Sequence, residues 1–179
     1  MPDTDREFVI SIRQLAKIFK DQQGKPARVL DDITFDVMPG ETLVIMGGSG
    51  CGKSTLLNCL IGELRPEEGQ ILYQPRGAKS SANLLELEET ALNELRKKFG
   101  ILFQSGALFN SMTVAENVAL PLKEHSYVDP SIIDIVVTLK LQQVHLLEHR
   151  DKLPSQLSGG QKKRAGLARA TALDPEILF

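Results

Sequence analysis

A strand-sized apolar run that breaks into Gly47-Gly48-Ser49-Gly50-Cys51-Gly52-Lys53-Ser54 and goes on as a helix leaves this chain few ways to fold. The stretch fits the pattern G-x-x-x-x-G-K-[ST]. Glycines at 47, 50 and 52 let the backbone turn tightly and aim N–H groups at anionic oxygens. The context agrees. Thr42–Met46 predicts a short buried parallel strand, and Ser54–Ile61 predicts a helix. That helix adds the positive end of its dipole to the loop. Strand, glycine loop and helix are the order a phosphate-binding loop requires. In this reading Gly48, Ser49, Cys51 and Thr55 complete the cradle around a nucleoside triphosphate. Lys53 reaches its β- and γ-phosphates, and Ser54 ligates Mg²⁺.

A second glycine-rich stretch, Leu157-Ser158-Gly159-Gly160-Gln161, places Ser158 105 positions beyond Lys53. Ser158 is a good N-cap for a helix from Gly159 to about Leu173. Taken alone, this is either another anion grip or an ordinary capped helix start. Asp174-Pro175 ends the helix, and Ile177-Leu178-Phe179 begins a strand.

Between and before these stretches the pattern changes character. Ile33, Phe35 and Val37 alternate with Thr34 and Asp36, as in a half-buried strand. Pro39-Gly40 supplies a turn, and Ile71-Leu72-Tyr73 reads as a strand. Residues 74–83 read as a loop, Leu92–Lys98 as a helix and Phe99–Phe103 as a buried strand ending at Gln104. Thr113-Val114-Ala115-Glu116 is a capping-box signature, and Asp129-Pro130 marks another helix start. Strands, an inserted helical block and a return to strand argue an α/β fold with a helical subdomain.

Composition sets bounds. A chain of 179 residues suggests one domain, and a net charge of −2 gives no global attraction to nucleic acid. The local clusters Arg96-Lys97-Lys98 and Lys162-Lys163-Arg164 read as solvated helix faces. The acidic start Met1-Pro2-Asp3-Thr4-Asp5 lacks the form of a secretory signal, and no stretch approaches the ~20 apolar residues of a membrane span. A role at a membrane therefore needs a partner that spans it. Cys51 and Cys59, about 12 Å apart along a helix, read as free thiols of a reducing cytoplasm. His145-Leu146-Leu147-Glu148-His149 matches the zinc motif H-x-x-E-H, with both histidines on one helix face. Downstream only Asp151, Asp174 and Glu176 could supply a third ligand, which argues against zinc chemistry.

Four ordered motifs carry a resemblance: GGSGCGKST, Phe103-Gln104, Leu157–Gln161, and Leu173-Asp174-Pro175 leading into a strand. Together they resemble the nucleotide-binding domain of ABC (ATP-binding cassette) proteins over essentially the whole chain. The resemblance implies a P-loop NTPase fold: a RecA-like core, an N-terminal antiparallel β-subdomain and an inserted helical subdomain, incomplete at the C-terminus. Residues 1–104 would form the β-subdomain and P-loop core. Residues 105–160 would form the helical subdomain ending in the signature, and 161–179 would return to the core.

The resemblance also implies site roles. Ser158, Gly159, Gly160 and Gln161 of one subunit would grip the γ-phosphate of ATP held by the P-loop of a second copy. Gln104 would sense the γ-phosphate and Mg²⁺ and couple them to a transmembrane permease. Phe19 is the candidate for stacking on adenine, at a position more often tyrosine in this family. The stretch Gln104-Ser105-Gly106-Ala107-Leu108-Phe109 resembles ATPases of MCE-associated lipid transporters, which implies lipid cargo, an MCE lipid-binding protein as a further partner and a place on the inner face of the cell membrane.

The strand begun at Ile177 is expected, by resemblance, to run on to an Asp-Glu pair for metal and water, followed by a D-loop and a switch histidine. Glu176, His125, His145 and His149 do not replace these by position. The polypeptide as written is thus expected to hydrolyse ATP negligibly and to expose an apolar strand edge prone to aggregation. Two other readings stand beside this one. A soluble ABC ATPase of DNA repair or translation is disfavoured by the short spacing, the single P-loop and the net charge. A nucleotide-binding remnant without turnover is the other. A P-loop kinase would leave LSGGQ and Gln104 unexplained.

Overall fold

The computed structural model describes residues 8–21, 23–78 and 80–179, so the acidic start at Met1–Asp5 lies outside it. The chain divides into two compact units, Met1–Glu94 and Leu95–Phe179.

In the first unit, β1 (Ile10–Lys20), β2 (Pro26–Val37), β3 (Glu68–Tyr73) and β4 (Ala82–Asn83) form an antiparallel sheet in the order β2-β1-β3-β4. As an inner strand, β1 buries Ile10, Ile12, Leu15 and Ala16. Its alternation is interrupted where its register with both neighbours shifts, and Gln14 there takes φ 48°. Gly69 faces this irregularity from β3: a Cβ on it would stand 2.6 Å from the carbonyl oxygens of Arg13 and Gln14. At φ 99° only glycine fits comfortably. In β2, Thr34 is exposed while Ile33, Phe35 and Val37 are half-buried, as the alternation predicts, but Asp36, expected on the exposed face, is half-buried too and pairs with Arg13.

Helix α1 (Lys53–Leu60) matches the expected helix and buries Leu56, Cys59 and Leu60. Burial pushes the Cys59 thiol up, with Lys17 pulling the other way. Both cysteines are free, Cys51 exposed and Cys59 buried. The segment expected as a buried strand, Thr42–Met46, is not one. No strand among the described residues pairs with it, and Val44 and Met46 are 70% and 85% exposed. Apolar sequence alone does not make a strand, because its backbone groups need a ladder partner.

Helix α2 (Glu89–Arg96) begins and ends earlier than the expected Leu92–Lys98. The second unit holds β5 (Phe99–Gly100), α3 (Val114–His125), α4 (Pro130–Gln143), α5 (Gly159–Ala170) and β6 (Ile177–Leu178). Strand β5 pairs in parallel with β6, and Leu102 N–H extends the ladder to Phe179 O at 2.8 Å. Phe103 lies beyond it, 46% exposed, so the expected buried strand to Phe103 is shorter than its apolar run. The three helices enclose a core that includes Val114, Val118, Val137, Leu141, Leu146, Ala165 and Ala168.

Local chemistry sets the helix starts. Thr113 caps α3 with both arms of a capping box. The Thr113 N–H bound to Glu116 holds that carboxyl below the usual range. Asp129 caps α4, with Pro130 at its first position. Ser158 caps α5, which stops at Ala170 rather than near Leu173. The turn beyond it takes Asp174 to φ 48°, where its carboxylate pairs with buried Lys140.

Candidate functional site

Gly50 and Gly52 both adopt left-handed backbone, φ 81° and 98°, and bend the chain into a cradle ahead of α1. A Cβ on Gly52 would press Leu30 Cδ2 and Val29 O at 3.1 Å, and one on Gly47 would strike Cys51 Sγ at 2.5 Å. Lys53 folds over the loop: its Nζ donates to Gly47 O at 2.8 Å and Gly48 O at 2.7 Å, with Cys51 Sγ at 3.5 Å. Helix α1 has no acidic residue in its first turn and no side-chain cap. Its leading amides, with Ser54 and Thr55 beside them, therefore present uncompensated positive charge.

Phe19, on β1, is 40% exposed rather than in the core, and Lys17 Nζ sits 5.3 Å from its ring centre. Lys17 itself is nearly buried. It donates to Arg65 O at 2.8 Å and Glu67 Oε1 at 2.7 Å, while Glu67 Oε2 takes Ile18 N–H at 2.7 Å. Lys17, then the Ile18 amide, hold the Glu67 carboxyl below its ordinary range. This knot fixes the strand that carries Phe19.

Gln104 is exposed in a turn where Gly106 N–H donates to Phe103 O at 2.8 Å. The turn is anchored within its own unit by residues that sequence reasoning missed. Arg169 of α5 forks onto it, Nη1 to Ala107 O at 2.8 Å and Nη2 to Gly106 O at 3.1 Å. Burial draws the Arg169 guanidinium down, and its face lies 5.9 Å from the Phe109 ring centre. Asn117, fully buried in α3, accepts Phe109 N–H at 2.8 Å and donates to Phe109 O, Met112 O and Thr113 O at 2.9–3.1 Å. A polar residue on the apolar face of α3 was the available signal, since a buried amide needs partners.

At the signature, Gln161 N–H donates to Ser158 Oγ at 3.2 Å, and Ser158 N–H donates to Gln161 Oε1 at 2.8 Å. Gly159 and Gly160 are exposed, with no heavy atom within 4 Å of where a Cβ would be. No crowding inside the chain demands glycine there, so the bare backbone is open to approach from outside. The H-x-x-E-H motif does not lie along a helix face: His145 takes φ 54° past the end of α4, and only Leu147–His149 form a short 3₁₀ turn. Among the described residues no group of three metal-ligating side chains gathers. Nor is any helix among them long and apolar enough to cross a membrane.

Residues 30–179 match the family described as ABC transporter. The "Probable ribonucleotide transport ATP-binding protein mkl" of Mycobacterium leprae is 44% identical over 170 residues, 95% of this chain and 46% of that protein. The "Intermembrane phospholipid transport system ATP-binding protein MlaF" of Escherichia coli K12 is 40% identical over 151 residues, 84% of this chain and 54% of that one. The chain thus spans about half the length of the curated relatives it matches. Among solved structures, the dimeric post-hydrolysis ATP-binding cassette MJ0796 bound to ADP and Pi superposes with a TM-score of 0.82. Identity there is 29%, over 94% of this chain and 72% of that one. With a family match that runs from Leu30 through cradle, turn and signature to Phe179, this chain belongs to the ABC transporter family.

Proposed function

We propose that this chain forms the ATP-binding part of an ABC transporter ATPase, in which two copies close on ATP. The observations that carry the reading are the uncrowded Gly159-Gly160 start of α5 in one unit and, in the other, the Gly50–Gly52 bend over which Lys53 folds. A phosphate fits the cradle. Lys53 Nζ lies over the loop, held by the Gly47 and Gly48 carbonyls, from which it would transfer to phosphate oxygens, and the first turn of α1 offers N–H donors with no acid to oppose an anion. Gly47–Thr55 would hold the triphosphate and Phe19 the adenine. The Ser54 hydroxyl and the Gln104 side-chain oxygen are hard donors of the kind that suit Mg²⁺. When bound, Mg²⁺ neutralises charge on the phosphate oxygens. Ser158, Gly159, Gly160 and Gln161 of the second copy would grip the γ-phosphate. Residues 1–104, 105–160 and 161–179 would then divide as core, helical subdomain and return to core.

The partners in this reading are a second copy, a transmembrane permease and an MCE lipid-binding protein, with the chain on the cytoplasmic face of the membrane. The relatives' names point to two cargoes, phospholipid and ribonucleotide. The Gln104–Phe109 segment favours lipid. Equilibrium binding of a fluorescent ATP analogue tests the cradle. Saturable, Mg²⁺-dependent binding that is lost in Lys53→Ala supports it, and undiminished binding in that variant contradicts it.

A further inference from the structure

We propose that neutral His149 is a positioning residue for the start of α5, and that protonating its ring releases the arm of the cap that holds Ser158 N–H. The argument is one of donors and acceptors. A glutamine side chain has one accepting end and one donating end. The Gln161 accepting end, Oε1, is taken by Ser158 N–H at 2.8 Å. Its Nε2 therefore points the other way, where it meets His149 Nε2 at 2.7 Å. An amide nitrogen only donates, so His149 Nε2 must accept: the ring is neutral and carries its hydrogen on Nδ1. Turning the amide over would set its NH₂ against Ser158 N–H, donor against donor. The cap fixes the amide, and the amide fixes the tautomer. On the other side of the ring, Nδ1 is buried with no hydrogen-bond partner among the described residues, so no acceptor there accounts for the tautomer.

A proton on Nε2 would face the Gln161 NH₂. The amide would then turn to offer Oε1 to the imidazolium, and Ser158 N–H would lose its acceptor. A proton taken up in the 3₁₀ turn is thus felt at the first residue of α5. The titratable and charged groups on the elements packed against this turn include Glu116 of α3, whose Ala115 N–H donates to Arg150 O at 2.8 Å, His145 just past α4, and Lys163 of α5. Glu148 and Arg150 lie in the same turn, with Asp151 and Lys152 following. Arg150 is drawn to Asp134 of α4 at 2.6 Å. From α5 come Lys162 and Arg164, the latter donating to Val144 O at 2.9 Å and His145 O at 3.4 Å. The consequence for nucleotide rests on the reading of Ser158 as a phosphate grip; the linkage itself does not.

Long-range ¹H–¹⁵N correlation spectra of the labelled full chain test it. At about pH 8, His149 should show hydrogen on Nδ1 and a lone pair on Nε2. When the pH is lowered until His149 shows hydrogen on both ring nitrogens, the exchange protection factor of Ser158 N–H should fall roughly fivefold, in step with that protonation. His149→Gln, which supplies an accepting oxygen without titrating, should keep the protection and lose its pH dependence. His149→Leu should show weak protection throughout. An Nε2–H tautomer of the neutral ring, or Ser158 protection that is unchanged once both ring nitrogens carry hydrogen, would overturn the proposal. If a variant does not fold, the two wild-type readouts decide. None of these measurements uses nucleotide, so they stand apart from the test of the cradle.

Discussion

Gly106 and Gly166 meet backbone to backbone: a Cβ on Gly166 would stand 2.9 Å from Gly106 Cα and 3.0 Å from Gly106 O. Seen from the other side, a Cβ on Gly106 would lie 2.8 Å from Lys162 O. The turn that carries Gln104 therefore rests directly on the helix that begins at Ser158, and Arg169 ties the two together.

This contact decides the sign of a substitution. Gly166→Ala would gain about 1 kcal/mol of helix propensity in an open helix. Here the new methyl meets backbone, which cannot swing away, so overpacking at about 1–3 kcal/mol wins. Urea unfolding should show net destabilisation. A more stable Gly166→Ala protein would mean that the two segments are not in contact.

Asn117 closes the loop ahead of α3 with four hydrogen bonds from a fully buried side chain. Asn117→Ala strands Phe109 N–H and Met112 O and opens a cavity, while Phe109 O and Thr113 O keep their backbone donors. The expected cost is about 2–4 kcal/mol. Asn117→Asp keeps the shape but turns a donor into an acceptor facing three carbonyls, and should cost no less. Unfolding midpoints of the two variants check this ordering.

Acid should loosen the strand that bears Phe19. The Glu67 carboxyl is lowered by Lys17 first and by the Ile18 amide second. Its contribution is full above the unfolded-state value of about 4.3 and is lost as pH falls through the lower folded-state value. The Glu116 and Asp129 carboxyls, also lowered, titrate in the same direction. Glu67→Gln should therefore reduce, without abolishing, the fall in stability between about pH 6 and pH 3. An unchanged pH slope in that variant would remove Glu67 from the account.

What was legible in the sequence was mostly local. The capping box at Thr113, the N-cap at Ser158 and the proline start at Pro130 are settled by residues within one turn of each other, and they are found as expected; that Gln161 completes a box at Ser158 is added by the structure. The cradle glycines are legible for the same reason. Thr42–Met46 and Phe103 are not, because strand pairing depends on partners far off in sequence. The irregularity at Gln14 and the break in the helix expected to carry both histidines of H-x-x-E-H, a motif already set aside as a zinc site, also escape pattern reading. In both, a single residue at positive φ breaks the period on which the pattern rests. Asn117, Arg169 and His149 act through backbone groups and side chains that only folding brings near.

The division of one ATP site between two copies is tested most directly by mixing two variants, Lys53→Ala and Ser158→Arg, each of which should fail alone to associate on a slowly hydrolysed ATP analogue. A mixed pair would hold one site with both faces intact, the Lys53 of one copy facing the Ser158 of the other. Sedimentation velocity should then detect an ATP-dependent heterodimer that neither variant gives by itself. A mixture that sediments as the sum of its two parts, while the unaltered chain dimerises with nucleotide, would contradict it.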